Sequence, residues 1–385
     1  MAKFARTGCL CLGVAFALSA IWLGVPARSP AGASAVATVT EPLIPTAIPT
    51  HTVRDGTGTP QQPVAAPASE TTLPGLYSVR QRIGLGVPLP TFPEQIAREL
   101  SPGWYLDWRV NLHALQLPDL EYAPMVRLSG SSYRPDLETI RQAAMARPGA
   151  LWLIGNEPDV RWQDNVLPDD YARLYHQLYH FLKGVDPSCQ VAIGGISQVT
   201  PLRLRYLEAI LDAYQRLYGA PMPVDVWNIH AFILREEADS WGVGIPPGFD
   251  EPRGQLYEVA DHDNLSIFAN QLVTFRRWMK TRGEQDKPLI VSEYGILMPE
   301  DYGFPPERVQ RFMVESFDYM HNARDSTIGY APDGDRLVQR WCWFSLSYAQ
   351  YPTGDLIQLP SGELTPLGET FASYISAHSD NATDQ

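Results

Sequence analysis

The chain has 385 residues, too many for one small domain and right for one barrel with appendages. A net charge of −13 argues against nucleic acid, or an anionic membrane surface, as the main partner. Hydrophobic residues make up 45%, enough for a large core, and the 11% that are aromatic suit either that core or a sugar site, where flat rings pack on pyranose C–H faces.

Residues 1–28 read as a targeting segment, either a signal peptide or a membrane anchor. Lys3 and Arg6 precede an uncharged, mostly apolar run from Thr7 to Val25, and Ala33-Ser34-Ala35 offers a small-residue cleavage site. The run is roughly 19 residues against the ~20 that span a bilayer, so a retained anchor stands beside cleavage. Either way the rest of the chain is expected to be exported, secreted or held at the outer face of the cell membrane. Cys9 and Cys11 precede most of the apolar run, which excludes a lipoprotein. Residues 29–75, with Pro42, Pro45, Pro49, Pro60, Pro63, Pro67 and Pro74, read as a disordered linker of polyproline character. Its composition cannot bury enough apolar surface to offset the entropy of ordering.

From Tyr77 the texture changes to alternating strand and helix. Strands are expected at 82–87, 104–110, 122–128, 150–155, 190–196, 224–230, 288–293 and 339–346. Helices are expected at 92–100, 135–146, 168–184, 201–218, 265–282, 305–322 and 366–377, several opening on proline at the first turn. The slot between Val110 and Glu121 carries only a short turn. Eight strands with intervening helices over about 300 residues indicate an α/β fold, a (β/α)8 TIM barrel occupying residues 76–378, with 379–385 as a disordered tail. The alternative is a doubly wound open sheet, which would show a glycine-rich phosphate loop after the first strand. Gly84-Leu85-Gly86 has neither fingerprint spacing, so no nucleotide or other cofactor is expected. Residues 233–264 form a long insertion after the sixth strand, carrying Trp241, and are expected to wall the substrate cleft. Cys189 and Cys342 are expected to be free and buried.

Two of these strands end in a glutamate. Leu151-Trp152-Leu153-Ile154-Gly155 runs into Asn156-Glu157-Pro158-Asp159, and Leu289-Ile290-Val291-Ser292 runs into Glu293-Tyr294-Gly295. A carboxylate at the end of a buried strand is costly unless partners compensate it. Finding two, on the fourth and seventh strands, suggests a pair facing each other across a cleft, the arrangement glycosidases use. The bland reading of Glu157 is a strand-to-helix turn with Asp159 as a cap; the second carboxylate argues against it. His176 and His180 lie one helical turn apart, without the glutamate of a zinc protease motif, and are expected on a helix surface, so no metal is expected. No Gly-x-Ser-x-Gly elbow is present to support esterase chemistry.

These residues resemble clan A glycoside hydrolases, which are retaining (β/α)8 enzymes. The finer pattern is similar to the Asl1-like glycosyl hydrolase domain and glycoside hydrolase family 128, whose members include endo-β-1,3-glucanases. The matching pieces are Tyr105-Leu106-Asp107-Trp108, Tyr122-Ala123-Pro124-Met125, Gly155-Asn156-Glu157-Pro158-Asp159, Asp225-Val226-Trp227-Asn228-Ile229-His230, Ser292-Glu293-Tyr294-Gly295 and Trp341-Cys342-Trp343-Phe344. Strand five, Gly194-Gly195-Ile196-Ser197, and the end of strand three, Val126-Arg127-Leu128, depart from the family 128 pattern. The resemblance implies that Glu157 is the general acid/base and Glu293 the nucleophile, about 5–5.5 Å apart.

Asn156 would then bond the sugar 2-hydroxyl. His230 and Asn228 would bond a catalytic carboxylate, and Trp343 would lie under the sugar ring. Asp107, Arg127, Tyr294 and Trp241 complete the candidate substrate-binding set. Glu157 is expected to be the more buried or the nearer to a like charge, and Glu293 to be kept ionised by His230 or Asn156. Two alternatives share the fold: a non-catalytic carbohydrate-binding surface protein, and a transglycosylase with the same residues. The expected partner is a polysaccharide or oligosaccharide, met by a monomer.

Overall fold

The computed structural model describes residues 76–380. The targeting segment, the linker and residues 381–385 of the expected tail lie outside the described residues. In chain order the elements are α1 (Val79–Arg82), β1 (Ile83–Gly86), α2 (Glu94–Leu100), β2 (Trp104–Leu106), β3 (Glu121–Tyr122), β4 (Met125–Ser129), β5 (Ser132–Arg134), α3 (Leu137–Ala146), β6 (Leu151–Ile154), α4 (Pro168–Val185), β7 (Gln190–Ile193) and α5 (Pro201–Tyr218). There follow β8 (Trp227–His230), α6 (Leu265–Thr281), β9 (Leu289–Tyr294), α7 (Pro306–Asn322), β10 (Arg340–Trp343) and α8 (Pro366–Asp380). Helix α8 extends past Ala377, so Ser379 and Asp380 are helical rather than tail.

Local chemistry sets these boundaries. Helices α4, α5 and α7 begin with proline, whose missing N–H is one of those a helix leaves unpaired at its start. Thr200 caps α5 by accepting from Arg203 N, and Gly219 ends it in the left-handed conformation, φ 68°. The third expected strand is split: β3 pairs with β2, β4 pairs with β6, and Pro124, which has no N–H for a ladder, sits between them. Strand β5 turns back antiparallel on β4.

The core strands are parallel, in a six-stranded sheet of order β3-β2-β1-β10-β9-β8 and a four-stranded one of order β5-β4-β6-β7. Parallel bridges Ala192–Val226 and Ile196–Ile229 join β7 to β8. Side chains sort into two layers. Trp104, Leu106, Ala123, Met125, Leu151, Leu153, Ala192, Val226, Ile290 and Cys342 form an interior cluster. The alternate residues of the same strands, among them Trp152, Val191, Trp227, Val291 and Trp341, pack with the helices in a larger cluster. Cys189 and Cys342 are free and buried. Among the described residues no helix is long and apolar enough to cross a membrane.

Candidate active site

Strand β6 is buried throughout, and the chain turns sharply as it leaves it. Glu157 adopts φ 42°, in the left-handed region that costs a non-glycine residue about 1–2 kcal/mol. Two buried aspartates hold the turn. Asp164 accepts from the backbone N–H of Leu128 (2.9 Å) and Asn156 (2.8 Å) and from Arg127 Nε (2.6 Å), stapling the ends of β4 and β6 together. Asp159 accepts from Ser197 Oγ (2.8 Å) and Ser197 N (3.1 Å) and pairs with the Arg203 guanidinium. Arg203 also reaches Glu236 at 2.8 Å, with all three charged side chains fully buried. Asp159 is therefore a buried anchor of the turn.

Glu293 is aimed by an irregularity in β9. Ile229 pairs with Val291 and His230 with Glu293; across the other neighbour, Trp341 pairs with Val291 and Trp343 with Tyr294. Strand β9 thus holds one more residue than either partner between these points. Glu293 turns toward the cleft and Tyr294 toward the helices. Trp108 Nε1 donates to Glu293 Oε2 at 2.8 Å. The ring occupies space that only glycine leaves: a Cβ on Gly86 would lie 2.5 Å from it.

The two carboxylates meet over His230. His230 Nδ1 lies 3.0 Å from Glu157 Oε1, and one polar atom from each of Glu157, His230 and Glu293 lies within 4.8 Å of the others. Gly195 makes room for the imidazole, since a Cβ there would lie 2.3 Å from His230 Cδ2. Burial, reinforced by the negative charge of Glu157, pushes the Glu293 carboxyl up to about 7, against the pull of His230, the Trp108 N–H and Arg127. Burial drags the His230 imidazole down, but the charges of Glu293, Glu157 and Asp159 outweigh it and leave it above its ordinary value. Glu293 thus keeps a proton near neutrality that an isolated carboxylate would have lost.

These partners correct two expectations. Burial does not separate the pair, at 6% exposed for Glu157 and 7% for Glu293, and the upward push falls on Glu293. The donor to Glu293 is Trp108, while His230 serves Glu157 and the Asn156 amide donates to Gln163 Oε1 at 3.3 Å. The Asn156 side-chain oxygen is buried without a protein partner, available to a bound hydroxyl.

The other candidates divide. Arg127 donates to Asp164, and its positive charge reaches Glu293. Trp343 is no sugar platform. It is 0% exposed, packs edge-on to Tyr294 at 5.4 Å, and donates its indole N–H to the carbonyl of Gly354. Tyr294 also faces the helices, with its hydroxyl 3.1 Å from Ser316 Oγ and its ring against Phe268 and Phe312. Asp107 is consumed by its own loop, accepting from Arg109 Nε (2.8 Å), Asn111 Nδ2 (3.0 Å) and the Tyr122 hydroxyl (2.6 Å). Asn228 has both ends of its amide bonded to backbone. Trp241 stands 36% exposed on the insertion.

The insertion itself lies beside the turn that carries Glu157. Arg203, bonded to the carbonyl of Asp159 at 2.8 Å, also donates to the carbonyls of Val243 (3.2 Å) and Gly244 (2.9 Å).

The aromatic wall was not legible as such in the sequence. Phe344 packs edge-on to Trp108 (5.7 Å), Phe232 (6.3 Å) and Tyr348 (5.5 Å), and Tyr348 stacks on Tyr351 at 5.9 Å. Burial raises both tyrosine pKa values, and the charge of Glu293 raises both further, which places these rings near the carboxylates. One signal was available: Cys342 faces the interior, so period-2 alternation puts Phe344, and not Trp343, on the cleft side.

Among the described residues Glu157, His230 and Glu293 are the group able to offer three metal ligands, and a cation there would compete with the His230–Glu157 contact. His176 and His180 lie on α4, where His176 stacks on Tyr218 at 3.7 Å and its Nδ1 is 2.7 Å from the Tyr214 hydroxyl.

No protein-family model and no curated protein sequence matches the chain. Solved structures do. A family 128 (subgroup II) endo-β-1,3-glucanase from Pseudomonas viridiflava shares 18% identity, with a TM-score of 0.54 over 77% of this chain and 98% of that one. A curdlan-specific exo-β-1,3-glucanase of subgroup III from Blastomyces gilchristii, in complex with glucose, shares 15% identity, with a TM-score of 0.52 over 77% and 100%. A subgroup I endo-β-1,3-glucanase from Amycolatopsis mediterranei, in complex with laminaritriose, shares 15% identity, with a TM-score of 0.50 over 76% and 99%. The chain has a fold like that of glycoside hydrolase family 128.

Proposed function

We propose that this protein is a retaining glycoside hydrolase that cleaves a β-1,3-linked glucan. The observation that carries the reading is the buried Glu157–His230–Glu293 cluster at the ends of parallel strands. An oxygen of each carboxyl lies within 4.8 Å of the other, close to the spacing of retaining enzymes and short of the ~6.5–9.5 Å that leaves room for an inverting water. Glu293 attacks the anomeric carbon and Glu157 protonates the departing oxygen, then activates the water that releases the product. His230 shares its hydrogen bond with Glu157 through both half-reactions, and the Trp108 N–H favours the ionised nucleophile. Asn156 Oδ1 receives a sugar hydroxyl, and the ring faces of Trp108, Phe344, Tyr348 and Tyr351 carry the chain. The glucan linkage is drawn from the structurally similar enzymes.

The strands close as a (β/α)8 barrel in this reading. Its support is the β3–β4 continuity, the β7–β8 bridges and the interior cluster drawn from strands all round the sheet. In this reading the protein is exported, a proposal resting on the leader and linker signals in its sequence and checked by cell fractionation; its action as a monomer is checked by light scattering.

The test is a screen on laminarin, curdlan, mannan, xylan and cellulose, with product anomers followed by NMR. Wild type should hydrolyse a β-1,3-glucan with the β-anomer released first, and Glu157→Gln and Glu293→Gln should each lose at least about 1,000-fold in kcat. The α-anomer appearing first would replace retention by inversion. Binding of laminarioligosaccharides with no turnover would favour the non-catalytic reading.

A further inference from the structure

We propose that Asn228 is a positioning residue for Glu293: its side-chain amide pins the extra residue in β9 that turns Glu293 into the cleft. The kinetic consequence rests on the glycosidase reading; the geometry does not. The two faces of β9 can be followed residue by residue. Ile290 lies in the interior cluster and Val291 against the helices. Strict alternation would then send Glu293 outward to the helices and Tyr294 into the cleft. The reverse is found, because Ser292 is an additional residue relative to both β8 and β10.

An inserted residue leaves its backbone N–H without a regular ladder partner, and a buried N–H without an acceptor is costly. Asn228 supplies the acceptor. Ser292 N donates to Asn228 Oδ1 at 3.3 Å, and Asn228 Nδ2 donates to the carbonyl of Ile193 at 3.2 Å. One amide, fully buried, therefore ties β7, β8 and β9 together from the inside, where the strand that carries the nucleophile departs from regularity. With both ends engaged, Asn228 has no group left for a sugar, so it acts through Glu293. Two residues along the same face of β8, His230 holds Glu157. A single strand thus addresses both carboxylates, one by side chain and one by backbone.

Asn228→Leu, of similar size and without polar atoms, removes both bonds. On the substrate found by the screen its kcat should fall about 100-fold, the scale of an ångström-sized misplacement, with KM changed less than about threefold. A crystal structure of the variant should show Glu293 displaced. Asn228→Asp keeps an acceptor for Ser292 N and, when protonated, a donor for Ile193, so its activity relative to wild type should rise as pH is lowered. A lower Tm with kcat per folded molecule unchanged would mean a merely structural residue and overturns the proposal. If Asn228→Leu does not fold, the Asn228→Asp series decides, and a ratio to wild type that is flat with pH overturns it. If wild type and Glu293→Gln are equally inert on every glucan, the glycosidase reading has failed. The crystal structure of Asn228→Leu then stands alone, and Glu293 unmoved in it overturns the positioning role.

Discussion

Trp108 and Trp343 show how much a single side chain's direction decides. Both are tryptophans near strand ends, yet one bonds Glu293 and the other fills the space between sheet and helices. Trp108→Phe keeps the ring and removes the N–H. A hydrogen bond to a charged group contributes about 1.5–3 kcal/mol, so kcat/KM should fall roughly 10- to 100-fold. The N–H lowers the Glu293 pKa, so its loss raises it, and the acid limb of the pH–rate profile should move to higher pH. An unchanged limb would remove Trp108 from the mechanism. Trp343→Phe should instead cost about 1–3 kcal/mol of stability, read by denaturant unfolding, with KM unchanged. The sequence located Glu157 and Glu293 because an apolar strand followed by a lone carboxylate is a local signal. The roles of Tyr294 and Trp343 were not legible because facing depends on the extra residue in β9 and on alternation along β10, and that of Asn228 because its partners are the backbone of Ile193 and of that extra residue, Ser292.

At the scale of elements, the strand-helix alternation was legible because each buried strand is a short apolar run, and because proline and glycine punctuate the helices. The split at Pro124 and the short hairpin at β5 were not, since both are settled by which neighbour each segment pairs with. The loops above the strands are joined in the same non-local way. His262, buried, lies 2.9 Å from the carbonyl of Ile233 and accepts from Leu297 N at 2.9 Å, linking the insertion after β8 to the loop after β9. That pattern requires the neutral imidazole with its proton on Nδ1. Burial, with Arg308 adding to it and Asp263 and the Ile233 carbonyl opposing, holds its pKa at about 4. The folded value lies below the unfolded one of about 6.5, so this stabilisation is complete above pH 6.5 and drains away as pH falls toward 4. Its ceiling is on the order of 3 kcal/mol. In His262→Gln the loss of stability between pH 7 and pH 4 should be smaller than in wild type by up to that amount, measured by urea unfolding at each pH. Parallel curves would show that His262 does not titrate there.

For the molecule as a whole, the interior cluster sets a limit on substitution. A Cβ on Gly84 would lie 2.6 Å from both Cys342 Sγ and Trp104 Nε1, the rings and thiol that fill the space between β1 and its neighbours. Gly84→Ala should therefore destabilise the protein by about 1–3 kcal/mol by overpacking, without touching the carboxylates. A neutral or raised Tm would show that the interior can relax. Arg203 imposes a different kind of constraint, one that concerns how the protein can be altered. A single guanidinium serves the Glu157 turn through Asp159 and the insertion through Glu236 and the carbonyls of Val243 and Gly244. Between those two anchor points Ala238 N donates to the carbonyl of Pro252 at 2.9 Å, and Gly242, at φ 98°, has the carbonyl of Arg235 2.3 Å from where a Cβ would lie, which leaves residues 239–241, with Trp241, as the stretch least tied to the rest. Loop exchange has its splice points inside those ties: if the insertion borders the substrate, replacing residues 239–241 should change product lengths with Tm kept, whereas cutting outside residues 237–242 should lower both activity and Tm.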